Sequence, residues 1–334
     1  MIGSLLLCLA NNGCESPAAI ADEILQAPNK HIKVPAEFHE LGMAVSTNFP
    51  VIRLVVGPPS ATLELMVMEP GNYNVPMKST FTLRPPQSPR EPPRYDFHFT
   101  YDLSAFSPKP AQEEARGTVF LLPGYGLDKE AMVPWGFVLA KAGYRVVLVD
   151  LRGNGHSTGN QIFFGGIERT DMVECLDALI KQHICSGPVG ALGISYGAVL
   201  ALQWAAIDPR VHSVTAISPY LNPYIAVDRY LKTFAPKLTW QTDRTVALDV
   251  AARLSTFPGL DTETAVRHIR HPALFIRSEH DEVCFGQDLA RLHAAAAPGS
   301  RIKEIPLANH LLVGMCISQL ADTVTGWFGN QLIP

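Results

Sequence analysis

The chain has 334 residues, 47% of them hydrophobic and 17% charged, with a formal net charge of -4. That composition describes a globular protein able to bury a sizeable core, and it excludes a nucleic-acid binder, which would need clustered Lys and Arg to meet phosphates. Six cysteines (Cys8, Cys14, Cys175, Cys185, Cys284 and Cys316) without C-x-x-C spacing exclude a disulfide scaffold and a zinc ribbon; isolated buried thiols are expected, with a Cys175–Cys185 bridge open only to an exported protein.

The chain begins MIGSLLLCLANNGCESPAA. Its apolar run is too short to span a bilayer and suits a signal h-region, so residues 1–20 read as a signal-like or disordered N-terminus. The NNGC segment is similar to the end of a bacterial lipoprotein signal, with Cys14 as the lipid acceptor. No Lys or Arg precedes the run, and Asn11 and Asn12 stand where small residues are usual. Two locations follow: a cell envelope or periplasm with a lipid anchor at Cys14, or the cytoplasm if the N-terminus is unprocessed.

Residues 21–116 are rich in proline, densest in PPQSPREPP, and alternate in ATLELMVMEP, KSTFTLRP and RYDFHFTYD. Antiparallel strands joined by stiff loops are expected there. From Gly117 short apolar runs alternate with helical patterns: GTVFLLPG, YRVVLVD, PVGALGIS and VHSVTAISP are the strands. Near-continuous apolar strands separated by amphipathic helices require a parallel sheet covered on both faces, so the core is doubly wound α/β. The alternation pauses over 220–271 and resumes with PALFIRSEHD, RIKEIP and a last helix near ISQLADTVTGWFG. Residues 117–219 and 272–334 therefore form the core, and 220–271 are a helical cap inserted over the strand C-termini, where sites in open α/β sheets lie.

Two segments match G-x-S-x-G, GHSTG at 155–159 and GISYG at 193–197. The motif works only where a strand runs directly into a tight turn and a helix leaves at once, with glycines keeping the crowded turn free of side chains. GISYG satisfies this: Val189–Ile194 abut Ser195, and AVLALQWAAI follows. GHSTG does not, because LRGN separates its serine from the strand and no helical period follows. Ser157 thus reads as a polar loop residue. GNGHSTG also fails as a dinucleotide fingerprint, its third glycine one place late and no helix opening on it, so no cofactor is expected; no metal site is expected either.

A serine hydroxyl needs a base within hydrogen-bond reach and an acid to orient it. Among eleven histidines His310 stands out, in the short loop PLANHLL after the strand RIKEIP, on the same sheet edge as Ser195. His156, His268, His271 and His280 read as surface or cap residues, and His212 as a structural residue on a strand. Asp281 in SEHDEV is the expected acid, with Glu279 and Glu282 as rivals on the same loop. The oxyanion needs two N–H donors, expected from the amides of Tyr196 and of Tyr125 in LLPGYGLD.

With these residues in order, PGYG, DLRGNGHSTG, GISYG, RSEHDEV and ANH, the chain resembles the α/β-hydrolase superfamily from about Lys78 to Gln331. The resemblance implies a mostly parallel sheet with antiparallel N-terminal strands and a helical cap, and it assigns DLRGNGHSTG to a family landmark without chemistry. Pro123 stands where the family usually has His before Gly, which keeps the backbone donor and removes a bracing side chain. Serine at the elbow, rather than Asp, implies acyl transfer to water and not the carboxylate chemistry of haloalkane dehalogenases or epoxide hydrolases.

If several of the cap aromatics Tyr220, Tyr224, Tyr230, Phe234, Trp240 and Phe257 face the site, they form an apolar acyl or alcohol pocket, with Tyr220 and Tyr224 as the substrate-binding candidates. The leading expectation is a carboxylester hydrolase acting on a small ester or acyl substrate. A peptidase, amidase or thioesterase of the same fold is the second, and a non-catalytic envelope lipoprotein that uses the fold to bind is the third.

Overall fold

The computed structural model describes residues 16–27, 36–84, 94–109, 114–235, 237–306 and 308–333. Cys8 and Cys14, and with them the apolar run and the lipidation reading, lie outside the described residues. Among the described residues no helix is long and apolar enough to cross a membrane.

Eight strands form one sheet in the order β1-β2-β6-β5-β7-β8-β9-β10. Strands β1 (Val51–Val56) and β2 (Ala61–Met68) pair antiparallel, and β2 joins β6 (Arg145–Val149) antiparallel. From β6 onward, β5 (Thr118–Leu122), β7 (Val189–Ile194), β8 (Val211–Ile217), β9 (Ala273–Ser278) and β10 (Arg301–Ile305) all run parallel. The central runs are apolar on both sides because both faces are covered: Phe120 and Leu122 of β5 enter one core cluster, Val119 and Leu121 the other. The doubly wound α/β expectation holds, and the antiparallel N-terminal strands with it.

The N-terminal segment holds more than strands. Helix α1 (Pro17–Leu25) begins within the stretch read as signal-like, and α2 (Ala36–Val45) follows it. Ser16 caps α1 by accepting from the amide of Ala19 at 3.2 Å, and Pro17 occupies the first turn, where its missing N–H costs nothing. That Ser-Pro pair is a start signal hidden by the signal-like segment that precedes it. Strands β3 (Met77–Arg84) and β4 (Arg94–Tyr101) form a separate two-stranded hairpin rather than part of the main sheet, docked on the C-terminal helix α10 (Ile317–Gln331). Ser79 secures that contact, its amide donating to Ser318 Oγ at 2.9 Å and its hydroxyl to Gln319 Oε1 at 3.0 Å.

Between β5 and β6 lies α3 (Val133–Lys141), between β6 and β7 α4 (Glu168–Lys181), and after β7 α5 (Tyr196–Ile207). The segment between β8 and β9 carries α6 (Pro223–Phe234), α7 (Trp240–Leu254) and α8 (Thr262–His268), and α9 (Gly286–Ala295) follows β9. Helices α6 and α7 pack on each other, α8 packs on α5, and α1 packs on α7. The N-terminal helix is thus part of the cover over the sheet edge, tied by an ion pair between Arg253 and Asp22. Cys175, Cys185, Cys284 and Cys316 are buried free thiols, so the Cys175–Cys185 bridge does not form.

Candidate active site

Strand β7 is buried along its whole length and ends directly at Ser195, which takes φ 52° and ψ -108° before α5 opens at Tyr196. A side chain rarely adopts that backbone, and the surroundings hold it there: the Ser195 amide donates to the carbonyl of Ile217 at 2.7 Å and its own carbonyl accepts from Val199 at 3.1 Å. Only glycine fits on either side. A Cβ at Gly193 would lie 2.1 Å from the Gly197 carbonyl oxygen, and one at Gly197 would lie 2.1 Å from that of Leu122.

The structure brings Ser195, His310 and Asp281 into one hydrogen-bonded chain. Ser195 Oγ lies 2.8 Å from His310 Nε2, and His310 Nδ1 lies 2.8 Å from Asp281 Oδ1. With a carboxylate at Nδ1 the imidazole proton belongs on that nitrogen, so Nε2 is free to accept the serine proton. Asp281 also accepts from Ser218 Oγ at 2.5 Å and from the amides of Val283 and Cys284 at 3.0 and 2.7 Å. Burial disfavours its charge, but the His310 cation and these donors outweigh it and hold the carboxyl below the usual Asp range. Burial likewise disfavours imidazolium at His310, yet the Asp281 carboxylate and its hydrogen bond win and raise the imidazole above its ordinary value.

Two roles in this arrangement, those of Ser218 and Glu282, are not read from the sequence. Ser218 directly follows β8 in the left-handed region, φ 55°, its amide bonded to the Ile276 carbonyl and its hydroxyl to Asp281. Glu282, a rival for the acid's role, instead accepts the main-chain N–H of His310 through Oε2 at 3.1 Å. The one signal for Ser218 is its place at a strand C-terminus on the same edge as Ser195. Glu279 follows β9, its amide bonded to the Ile305 carbonyl.

The loop after β5 lies against the elbow. Leu122 pairs with Gly193, and a Cβ at Gly124 would stand 3.5 Å from the Ile194 carbonyl oxygen. Tyr125 is thus three residues beyond a pairing from which Ser195 is two. Its side chain turns away to donate to the Ile24 carbonyl of α1 at 2.8 Å, and its ring makes an edge contact with Tyr196, centroids 6.4 Å apart. Phe164 joins them, 5.9 Å from Tyr196 and 6.4 Å from Tyr220. Tyr220 is buried, and Tyr224, on the first turn of α6, is partly buried against the same core. Of the other cap aromatics, Tyr230 and Phe234 stack on each other, Phe257 packs on Phe163, and Trp240 is 62% exposed.

The first serine motif has a different part. Ser157 is buried, donates to the Asp150 carbonyl at 2.6 Å and accepts from the Glu64 amide at 2.8 Å, clamping the loop after β6 to β2. Arg152 of the same loop forms a two-pronged pair with Asp171 at 2.8 and 2.7 Å. A cavity of about 390 Å³ opens beside this loop, lined by residues including Pro59, Arg152, Gln161 and Phe163 and not by Ser195 or His310. Beneath the loop, Glu64, Asp150 and His156 lie close enough to share a cation, and Lys129 supplies one. Its ammonium reaches Asp150 at 2.7 Å, Glu64 at 2.9 Å and Glu130 at 3.1 Å. Burial opposes its charge, but the carboxylates raise it well above the ordinary Lys value. Of the remaining histidines, His212 and His271 stack with centroids 5.0 Å apart, and His156 is 62% exposed.

The strand order, the strand–serine–helix elbow and the cap inserted after β8 define the α/β-hydrolase fold. The family model for the X-Pro dipeptidyl-peptidase (S15 family) matches residues 66–304, and the chain belongs to that family. It is a serine hydrolase; no curated protein matches its sequence. Solved structures similar to it include an esterase from Pyrococcus furiosus, with TM-score 0.60 at 16% identity, covering 85% of this chain and 91% of that one. Est1E from Butyrivibrio proteoclasticus, bound to ferulic acid, gives 0.56 at 15% identity over 83% and 98%. A 2,6-dihydroxy-pseudo-oxynicotine hydrolase gives 0.58 at 16% identity over 88% and 72%. At such identities the likeness is one of fold.

Proposed function

We propose that the chain hydrolyses carboxylic esters through an acyl-enzyme on Ser195. The observation that carries this reading is the continuous chain from Ser195 Oγ through His310 to buried Asp281, each link 2.8 Å. As Ser195 attacks the ester carbonyl, His310 Nε2 takes its proton and Asp281 stabilises the imidazolium. The amides of Tyr196, at the free N-terminus of α5, and of Tyr125 face the developing oxyanion. His310 then passes the proton to the departing alkoxide. Water attacks the acyl-enzyme by the same route in reverse roles, releasing the acid and free Ser195.

Family membership favours a second reading, cleavage of an amide after proline. A dipeptidyl substrate brings a cationic amine that wants a carboxylate partner. Three carboxylates near the site are already engaged: Asp281 with the His310 ring, Glu282 with the His310 amide, and Glu168 with the amides of Phe163 and Gly165 at 2.8 and 2.9 Å. The aromatic surround of Tyr125, Phe164, Tyr220 and Tyr224 suits an apolar acyl or alcohol group. Short-chain p-nitrophenyl esters and X-Pro p-nitroanilides, compared on one preparation, decide between the readings. Ester turnover should exceed anilide turnover, Ser195→Ala should abolish it, and a fluorophosphonate should label Ser195. Ester turnover retained in the Ser195→Ala protein would refute the assignment.

A further inference from the structure

Two consecutive carboxylates of the loop after β9 grip one histidine at two points. Asp281 holds the ring at Nδ1, 2.8 Å away, while Glu282 Oε2 accepts the main-chain N–H of the same residue at 3.1 Å. A third tie comes from β9, whose last residue, Ser278, donates its hydroxyl to the Ala308 carbonyl at 2.5 Å. Ala308 stands at φ 110°, a conformation that non-glycine residues rarely adopt, so the turn into His310 is held against its own preference. The ring bond fixes the rotamer; the amide bond and the Ala308 tie fix where the backbone of His310 stands.

A carboxylate in that place does more than accept a hydrogen bond. His310 is 5% exposed, so a charge beside it is poorly screened. The charged groups that act on it are Asp281 and Glu282, both from the loop after β9. From the other elements packed around the triad come uncharged groups, the Ser195 hydroxyl at the elbow and the Ser218 hydroxyl at the end of β8, which donates to Asp281. Asp281 is fully engaged by four donors. Glu282 is half-buried, and burial, opposed by the His310 N–H, pushes its carboxyl above the usual Glu range.

We propose that Glu282 is a positioning residue with an electrostatic role, fixing the backbone of His310 and raising the basicity of its ring. The inference rests on His310 being the base of the reaction proposed above. Ionised Glu282 favours imidazolium, which strengthens the base that takes the Ser195 proton. It also sets the pH at which the site switches on, because His310 must be neutral before attack.

Glu282→Gln keeps an acceptor for the amide and removes the charge; Glu282→Ala removes both. The His310 ring is titrated by NMR in the wild type and in both variants, and kcat/KM for a p-nitrophenyl ester is followed over the same pH range. In Glu282→Gln the ring should titrate about half a pH unit lower. The acid limb of kcat/KM should move with it, and kcat on the plateau should stay within about threefold. Glu282→Ala should show the same displacement and lose about tenfold in kcat, since His310 is also less well placed. A ring that titrates identically in wild type and Glu282→Gln overturns the proposal, as does loss of activity in both variants with an unmoved limb. The ring titration needs no turnover, so failure of fluorophosphonate labelling at Ser195 would reject the hydrolase reading separately from this one.

Discussion

Replacing Lys129 by Met removes the one ammonium among three buried carboxylates and leaves most of the side-chain volume in place. Lys129 is 1% exposed, and its partners Glu64, Glu130 and Asp150 are 5%, 3% and 0% exposed. Breaking a buried pair by removing one partner costs about 3–5 kcal/mol, because the charge left behind has lost its compensation. The Arg53 pair at 2.7 Å still serves Glu64, and the amides of Lys129 and His156 still serve Asp150, at 2.7 and 2.9 Å. Glu130 fares worst, its carboxyl already raised by burial and one of its oxygens without a hydrogen-bond partner among the described residues. A loss near the lower end of that range is expected, a drop in Tm of roughly 6 °C at about 2 °C per kcal/mol for a chain of this size. The sign with pH follows from linkage. Burial already raises the Glu130 and Asp150 carboxyls, and without the cation they stand further above their unfolded values, a penalty fully present above the folded values and relieved as pH falls through them. Melting curves of variant and wild type, taken between pH 8 and pH 5, should therefore converge on acidification. A drop below about 2 °C at pH 8, or one that widens as pH falls, would refute the reasoning.

Two further substitutions test the elbow and its neighbours. Tyr125→Phe removes the donor to the Ile24 carbonyl and leaves the Tyr125 amide untouched, so stability should fall by about 1 kcal/mol while kcat/KM for a short ester stays within about threefold. A hundredfold loss of kcat/KM would instead give the phenol a role in the chemistry. Gly197→Ala places a methyl group 2.1 Å from the Leu122 carbonyl oxygen, and strand and helix cannot both keep their places. Fluorophosphonate labelling should fall by at least about a hundredfold, or the protein should fail to fold, since overpacking of this kind costs about 1–3 kcal/mol or more. Normal labelling would show that the elbow is looser than its geometry implies.

The parts legible in the sequence are those dictated locally. Strand, serine and helix follow one another without a gap in Val189–Ile207, and that adjacency alone separates Ser195 from Ser157. Asp281 and His310 stand out because both follow strand ends, and a parallel sheet puts such ends on one edge. Contacts set by tertiary placement are not legible in the same way. Ser218 and Glu282 act through partners distant in sequence, and Lys129 and Glu130 are buried only because the fold brings Asp150 and Glu64 to them. One hint exists: Glu64 interrupts the apolar strand ATLELMVM, and a carboxylate in such a strand needs a cation. Helix α1 is hidden by its setting, a Ser-Pro cap beside a segment whose composition suggests a leader.

The contact between Tyr125 and α1 bears on how the gene can be trimmed. Residues 66–304, the stretch held in common with the family model, look like a natural pair of cutting points. A fragment cut there would lose β1, most of β2, His310 and the whole of α10. It would also lose the helix whose carbonyl anchors the tyrosine beside the elbow and whose Asp22 pairs with Arg253 of the cap. The unit to clone, fuse or shuffle is therefore larger than its recognisable centre, and an affinity tag is better carried at the C-terminus than joined to the residue that caps α1.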